Sequence, residues 1–202
     1  MLNQIFKICF VFIILLKDYN ILCYNFTNII ITFIFLCYNK CMEKENLTHP
    51  FPPVYNKFSK VLLLGSFPSP KSREVNFYFG HKQNRFWKVL SSIFNCAEPI
   101  SIKEKTEFLL SHNLALWDVV KSCEIVGAKD ESITNATAND FDLIFKSCNI
   151  KAVFTIGKTA TKLYKTLTGK NSIFLPSTSP ANCATSFEKL KSEFSVILNY
   201  LN

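Results

Sequence analysis

Four continuous apolar runs constrain this chain most: "KVLLLG" (60–65), "LALWDVV" (114–120), "KAVFTIG" (151–157) and "SIFLPS" (172–177). A strand wet on one face alternates apolar and polar residues. Unbroken runs predict strands covered on both faces, the condition of a parallel sheet. Helical spacing fills the intervals. "NRFWKVLSSIF" puts Phe86, Val89, Leu90 and Ile93 on one side, and "KEKTEFLLSH", "NDFDLIFKSC", "KTATKLYKTL" and the C-terminal "NCATSFEKLKSEFSVILNYL" follow. Strands alternating with helices predict an α/β sandwich with right-handed crossovers. The chain has 202 residues, 49% of them hydrophobic, enough for one domain with a sizeable core. No tandem repeat or low-complexity linker divides residues 42–202, which are expected to form that domain.

Residues 1–41 differ in kind. They are built from Ile, Phe, Leu, Asn, Tyr, Lys and Cys, with Asp18 the one acid. The first apolar stretch, Ile5–Leu16, is shorter than the ~20 residues needed to span a bilayer. The second, Ile21–Tyr38, is interrupted by Asn25, Thr27, Asn28 and Thr32. A small-residue cleavage site of the kind that ends a signal peptide is missing. Met42 opens an ordinary soluble N-terminus, so residues 1–41 are expected to be a dispensable or non-native extension. A membrane anchor and a packed part of the fold are the competing expectations; no membrane role is expected for the body, which is placed in the cytoplasm, or in a nucleus or organelle if the source is eukaryotic.

Formal net charge is +8. Residues 1–41 account for three of the 23 basic and one of the 15 acidic residues, so +6 stays with the body. That excess suits a polyanionic partner and equally suits plain solubility. The eight cysteines form no CxxC pair, and only His49, His81 and His112 are present. Neither residue falls at metal-ligand spacing, so free thiols and no metal site are expected.

In a parallel α/β sheet, ligands gather beyond the carboxyl ends of the strands. That rule selects "GSFPS", "WDVVKSCE" and "STSPAN". In "GSFPSPKS" (65–72), Gly65 allows close backbone approach, two prolines stiffen the turn, and Ser66, Ser69 and Lys71 offer hydroxyls and charge. It lacks the GxxxxGK[ST] pattern of a phosphate-cradling loop. In "NFYFGHKQNRFW" (76–87), Phe77, Tyr78 and Phe79 could stack on a flat base or fill the core. Asn84 could cap a helix or aim its amide at a ligand. His81, Arg85 and Lys88 could serve a site or simply face solvent. Asp118 ends a strand beside Trp117. Ser177, Ser179 and Asn182 precede the last helix, whose free N–H groups would suit a phosphate.

Taken together, "GSFPSPKS", "YFGHKQNRFW", "LWDV" and "STSPAN" resemble the uracil-DNA glycosylase superfamily, and within it the DNA-deoxyinosine (hypoxanthine-DNA) glycosylase branch. The resemblance runs from about His49 to the C-terminus. It implies a three-layer α/β/α sandwich around a four-stranded parallel sheet. It also implies a monofunctional enzyme, without metal or cofactor, that removes a deaminated base from double-stranded DNA as a monomer. Carried over, the motifs make Asn84 and Ser66 catalytic and set Phe67, Tyr78, His81, Trp117 and Asp118 around the base. Ser69, Lys71, Ser177, Ser179 and Asn182 fall to the DNA phosphates.

Three positions depart from that pattern. Phe67 stands where uracil-excising relatives carry Asp, Asn or Glu, Ser177 stands where they often carry His, and Lys82 replaces a common Pro. Phe67 cannot activate water, so catalysis is expected to rest on donors placed where charge develops on the leaving base. Asn84 is expected to position the water or the base, and Asp118 to accept from hypoxanthine N1–H. The competing functions are a uracil or G:T/G:U mismatch glycosylase and a non-catalytic nucleic-acid-binding domain.

Overall fold

The computed structural model of the protein describes residues 44–201 and, apart from them, Ile31. Residues 44–202 make up one unit. The expectations for residues 1–41 and for Met42 fall outside the described residues.

Four parallel strands form the central sheet: β2 (Val61–Gly65), β3 (Leu114–Asp118), β6 (Ala152–Ile156) and β7 (Ile173–Leu175). Their order is β3-β2-β6-β7. Every residue of β2 and β3 is buried, as unbroken apolar runs require. The expected sandwich and its four-stranded sheet are therefore present, each strand lying within its predicted run.

Successive side chains of a strand point to opposite faces, which assigns the layers. Phe154 meets the ring of Tyr200 in the C-terminal 3-10 turn (Ser195–Tyr200), while its neighbour Thr155 hydrogen-bonds Thr161 at 2.8 Å. Thr161 belongs to α5 (Lys158–Thr168). The C-terminal turn and α5 thus cover opposite faces. With the turn come α6 (Phe187–Phe194), which leads into it, and α2 (Phe86–Ile93), which packs against α6. Two shorter helices, α1 (Pro70–Glu74) and α4 (Asp142–Phe145), and the longer α3 (Ile102–Ser111) complete the set. Ser101 and Glu104 close a reciprocal capping box at the start of α3, as Ser-x-x-Glu ahead of an apolar stripe should.

A second sheet was not legible in the sequence. β1 (Glu45–Thr48), β4 (Val120–Ile125) and β5 (Thr134–Ala138) pair antiparallel in the order β1-β4-β5. "WDVVKSCE" is consequently not the loop expected after β3. The chain passes through Val119 alone into β4, and Asn139 holds the junction by donating to the carbonyls of Asp118 (2.9 Å) and Val120 (3.2 Å). Register shifts along β4–β5 disturb its alternation, and β5 is a largely polar "TNATA" whose pairing partners lie 10 to 18 residues away. Neither strand carries an apolar run to announce it.

Candidate active site

A cavity of about 750 Å³ opens over the carboxyl ends of the parallel strands, within the range of small-ligand sites. Gly65 and Asp118, paired across β2–β3, form its floor. A Cβ on Gly65 would lie 2.2 Å from Asp118 Oδ1, so only glycine permits the carboxylate there. Phe79 closes over the same glycine with a left-handed backbone (φ 50°), its ring stacked on Phe86 at 3.9 Å. A non-glycine residue held in that region marks a conformation its surroundings enforce.

The two loops flanking α1 are joined by serines. Ser69 caps α1 by accepting the Ser72 N–H (3.2 Å), and Ser72 Oγ in turn accepts the Gly80 N–H (3.0 Å). Gly80 is needed at this contact: a Cβ would stand 2.3 Å from Val75 Cγ2.

One atom of the Asn84 amide is committed to the protein. Its Oδ1 accepts from the Phe86 N–H at 3.0 Å and from the Thr178 hydroxyl at 2.8 Å. A backbone N–H can only donate, so the amide orientation is fixed by its partner. Nδ2 makes no hydrogen bond among the described residues, and Asn84 lines the cavity. It therefore offers a donor. Oδ1 thus caps the helix start, and Nδ2 is the atom of Asn84 left over on the cavity wall.

Arg85 is turned onto the protein's own backbone. Its guanidinium donates to the carbonyls of Thr178 (3.4 Å), Ser179 (3.1 Å), Asn182 (2.9 Å) and Thr185 (2.5 Å). The rigid fork of donors shapes the "STSPAN" loop around itself. Within that loop Ser177 Oγ accepts the Ser179 N–H (3.3 Å) and Ser179 Oγ the Ala181 N–H (3.2 Å). Neither hydroxyl donates to another of the described residues. Lys88, on the next helical turn, lies over the Phe187 ring at 5.1 Å.

The cavity's acidic wall has two parts. Asp118 Oδ2 meets His49 Nε2 at 3.0 Å, both side chains 6% exposed or less. The His49 ring is packed by Phe51, Phe67 and Tyr78. Burial, reinforced by the Asp118 charge, pushes the Tyr78 hydroxyl well above its ordinary range, and it donates to Pro52 O at 2.9 Å. Opposite, Asp130 reaches in from the loop between β4 and β5 and accepts the Ser66 hydroxyl. Burial pushes its carboxyl up to about 6; the Ser66 hydrogen bond opposes this, and the nearby charges of Asp118 and Glu131 add to it.

A family model described as "Uracil DNA glycosylase superfamily" matches residues 52–202, most of the chain. The chain belongs to the uracil DNA glycosylase superfamily. Among curated superfamily relatives, a protein of Methanosarcina barkeri named hypoxanthine DNA glycosylase is 34% identical over 110 residues, 54% of this chain and 70% of that protein. One of the same name from Methanosarcina acetivorans is 32% identical over 92 residues, 45% of this chain and 58% of the relative. Among solved structures, the NMR structure of a Methanosarcina acetivorans protein provisionally named a uracil DNA glycosylase superposes with a TM-score of 0.66. It is 26% identical, with 78% of this chain and 99% of that one covered.

The sequence-derived candidates divide by whether they line this cavity. Ser66, Phe67, Ser69, Tyr78, Asn84, Asp118, Ser177, Ser179 and Asn182 all line the one cavity. Three do not. Trp117 is buried on the face opposite Asp118, edge-on to Phe141, because adjacent strand residues diverge. His81 lies on the rim loop with Nδ1 accepting the Gln83 N–H (3.1 Å), and Lys71 is exposed and paired with Glu74. Of the aromatic trio, Phe77 belongs to the core alone, Tyr78 is buried with an edge on the cavity, and Phe79 lines it as well.

Sequence reasoning missed His49, Asp130, Thr178 and the Gly157–Thr159 turn, which also frames the cavity. His49 had a faint signal as one of three histidines, just ahead of "PFPP". Asp130 had none. It sits in "AKDES", an unremarkable polar stretch. Among the described residues no group of three or more His, Cys, Asp or Glu side chains could hold a metal ion.

Proposed function

We propose that this protein hydrolyses the N-glycosidic bond of hypoxanthine in deoxyinosine-containing double-stranded DNA, leaving an abasic site. The observation that carries this reading is the pairing, in one cavity, of a fixed amide donor on Asn84 with the carboxylate acceptor of Asp118. Hypoxanthine presents the complementary edge, a carbonyl at O6 and an N–H at N1. Adenine presents an amine and a bare nitrogen there, so both contacts fail. Each unsatisfied buried group costs ~1–3 kcal/mol. Guanine shares the edge but adds a 2-amino group, and its intact pair with cytosine resists extrusion more than a mismatched or damaged base does.

The target nucleotide must leave the stack to reach the strand ends. The Ser177 and Ser179 hydroxyls, with the body's net positive charge, then hold the flanking phosphates. As the C1′–N9 bond lengthens, positive charge grows on the sugar and negative charge on the purine. Asn84 Nδ2 is preorganised to donate to the departing base, and the Asp118 carboxylate supplies fixed negative charge at the cavity floor. The names of the Methanosarcina relatives support hypoxanthine over uracil, and Phe67 supports it too by removing the polar side chain from the first loop. The enzyme acts as a monomer and without a lyase step.

A cleavage panel tests this. Duplexes bearing inosine, uracil, xanthine or a G:T mismatch are incubated with the full chain and then treated with alkali. Strand scission at inosine and none at adenine is the expected result. Scission confined to uracil or to the mismatch would transfer the assignment to those substrates, and no scission on any duplex would leave a DNA-binding domain without chemistry.

A further inference from the structure

Hydrolysis needs a proton acceptor for the attacking water, and the loop after β2 supplies none, since Phe67 is buried and apolar. Four carboxylates line the cavity: Asp118, Asp130, Glu131 and Glu193. Asp118 is engaged by His49 and pressed against Gly65. Glu131 and Glu193 are exposed. Asp130 is different. It is half-buried, one carboxylate oxygen accepts the Ser66 hydroxyl, and the other is unengaged among the described residues. The hydroxyl locks the carboxylate's orientation and ties the β4–β5 loop to the first rim loop.

We propose that Asp130 is the general base of the reaction, with Ser66 as its positioning residue. The assignment rests on the glycosylase reading above. Water oxygen bonds to C1′ as the C1′–N9 bond breaks and its electron pair leaves on the purine. The water proton passes to the free Asp130 oxygen, giving a carboxylic acid that returns it to solvent, while the purine anion takes a proton from solvent. Nothing is oxidised or reduced. A base that titrates near 6 is well matched to neutral operation. The charged and titratable groups facing it are Glu131 on its own loop, Asp118 with His49 from the sheet and Cys123 on β4, with Lys158, Lys189 and Glu193 elsewhere in the cavity wall.

The test compares wild type, Asp130→Asn and Asp130→Glu in single turnover between pH 5 and 9, on whichever lesion the wild type cleaves. Binding is measured in parallel to an uncleavable duplex containing 2′-fluoro-deoxyinosine. Asparagine keeps an oxygen for Ser66, so the fold is preserved. Wild-type rate should rise with pH through an inflection near 6 and then level. Asp130→Asn should lose at least ~10²-fold on the plateau, lose the inflection and bind the duplex as before, and Asp130→Glu should recover part of the rate. Equal plateau rates with the inflection retained, or a loss matched by the loss in binding, would overturn the assignment alone. A wild type inactive on every duplex would overturn the glycosylase reading first and this assignment with it.

Discussion

Asn84 spends Oδ1 on Thr178 and on the first amide of α2, so a substitution there can separate its structural role from its chemical one. Asn84→Ala should lose both: ~1 kcal/mol of stability from the missing cap and ~10²–10³-fold in excision rate from the missing donor. Asn84→Asp keeps an oxygen for the same two donors but puts an acceptor where the NH2 stood. It should melt close to wild type and lose activity as severely as the alanine variant. Thermal melts beside single-turnover rates check both. A fully active Asn84→Asp would show that the donor is dispensable. The type and place of this residue were legible from the motif, but the direction in which its amide points was not. That was decided by the Phe86 N–H, which can only donate, with the Thr178 hydroxyl, 94 residues away in sequence, joining it on the same oxygen.

At the scale of elements, the "STSPAN" loop has almost no apolar content of its own and is shaped by Arg85 at the start of α2. Arg85→Met should strip four loop carbonyls of their partner at once. We expect at least ~2 kcal/mol lost in urea unfolding, given the ~1.5–3 kcal/mol of a hydrogen bond to a charged group, and faster amide exchange across residues 177–185. Were Arg85 a phosphate contact, stability would hold and the salt dependence of DNA binding would fall by about one charge instead. The same scale explains where sequence reasoning stopped. The strands of the central sheet declare themselves because each is buried on both faces. β4 and β5 are half-wet, irregular in register and short of apolar residues, so local pattern carries little trace of them.

For the whole molecule, the buried acid at the cavity wall sets a pH dependence of stability. The Asp130 carboxyl is raised from 3.8 to about 6 on folding, chiefly by burial. Between those values the folded state binds more protons than the unfolded chain, so this group's contribution falls as pH rises through the window. Above about pH 6 the cost is fully present, at most ~3 kcal/mol. Asp130→Asn, which cannot ionise, should therefore melt higher than wild type at pH 7–8. The gain should shrink below pH 6 and vanish below about 3.8, when both forms are neutral. Melting curves across pH 3–8 provide the check, and a variant less stable at pH 8 would contradict it. A protein that becomes more stable as it loses turnover is what strain held at a working site produces.

By itself, the sequence determined the parallel sheet, the helices between its strands, the loops at the strand ends and nine of the residues that line the cavity. These follow from hydrophobic periodicity and from short motifs, which are local properties. The tertiary structure alone decided that Trp117 turns away while Asp118 turns in, that Arg85 braces a loop, and that His49 and Asp130 join the site from the second sheet's connections. Those outcomes depend on which distant groups come within hydrogen-bonding distance and on how much water is excluded around them. Neither quantity is encoded at a fixed spacing along the chain.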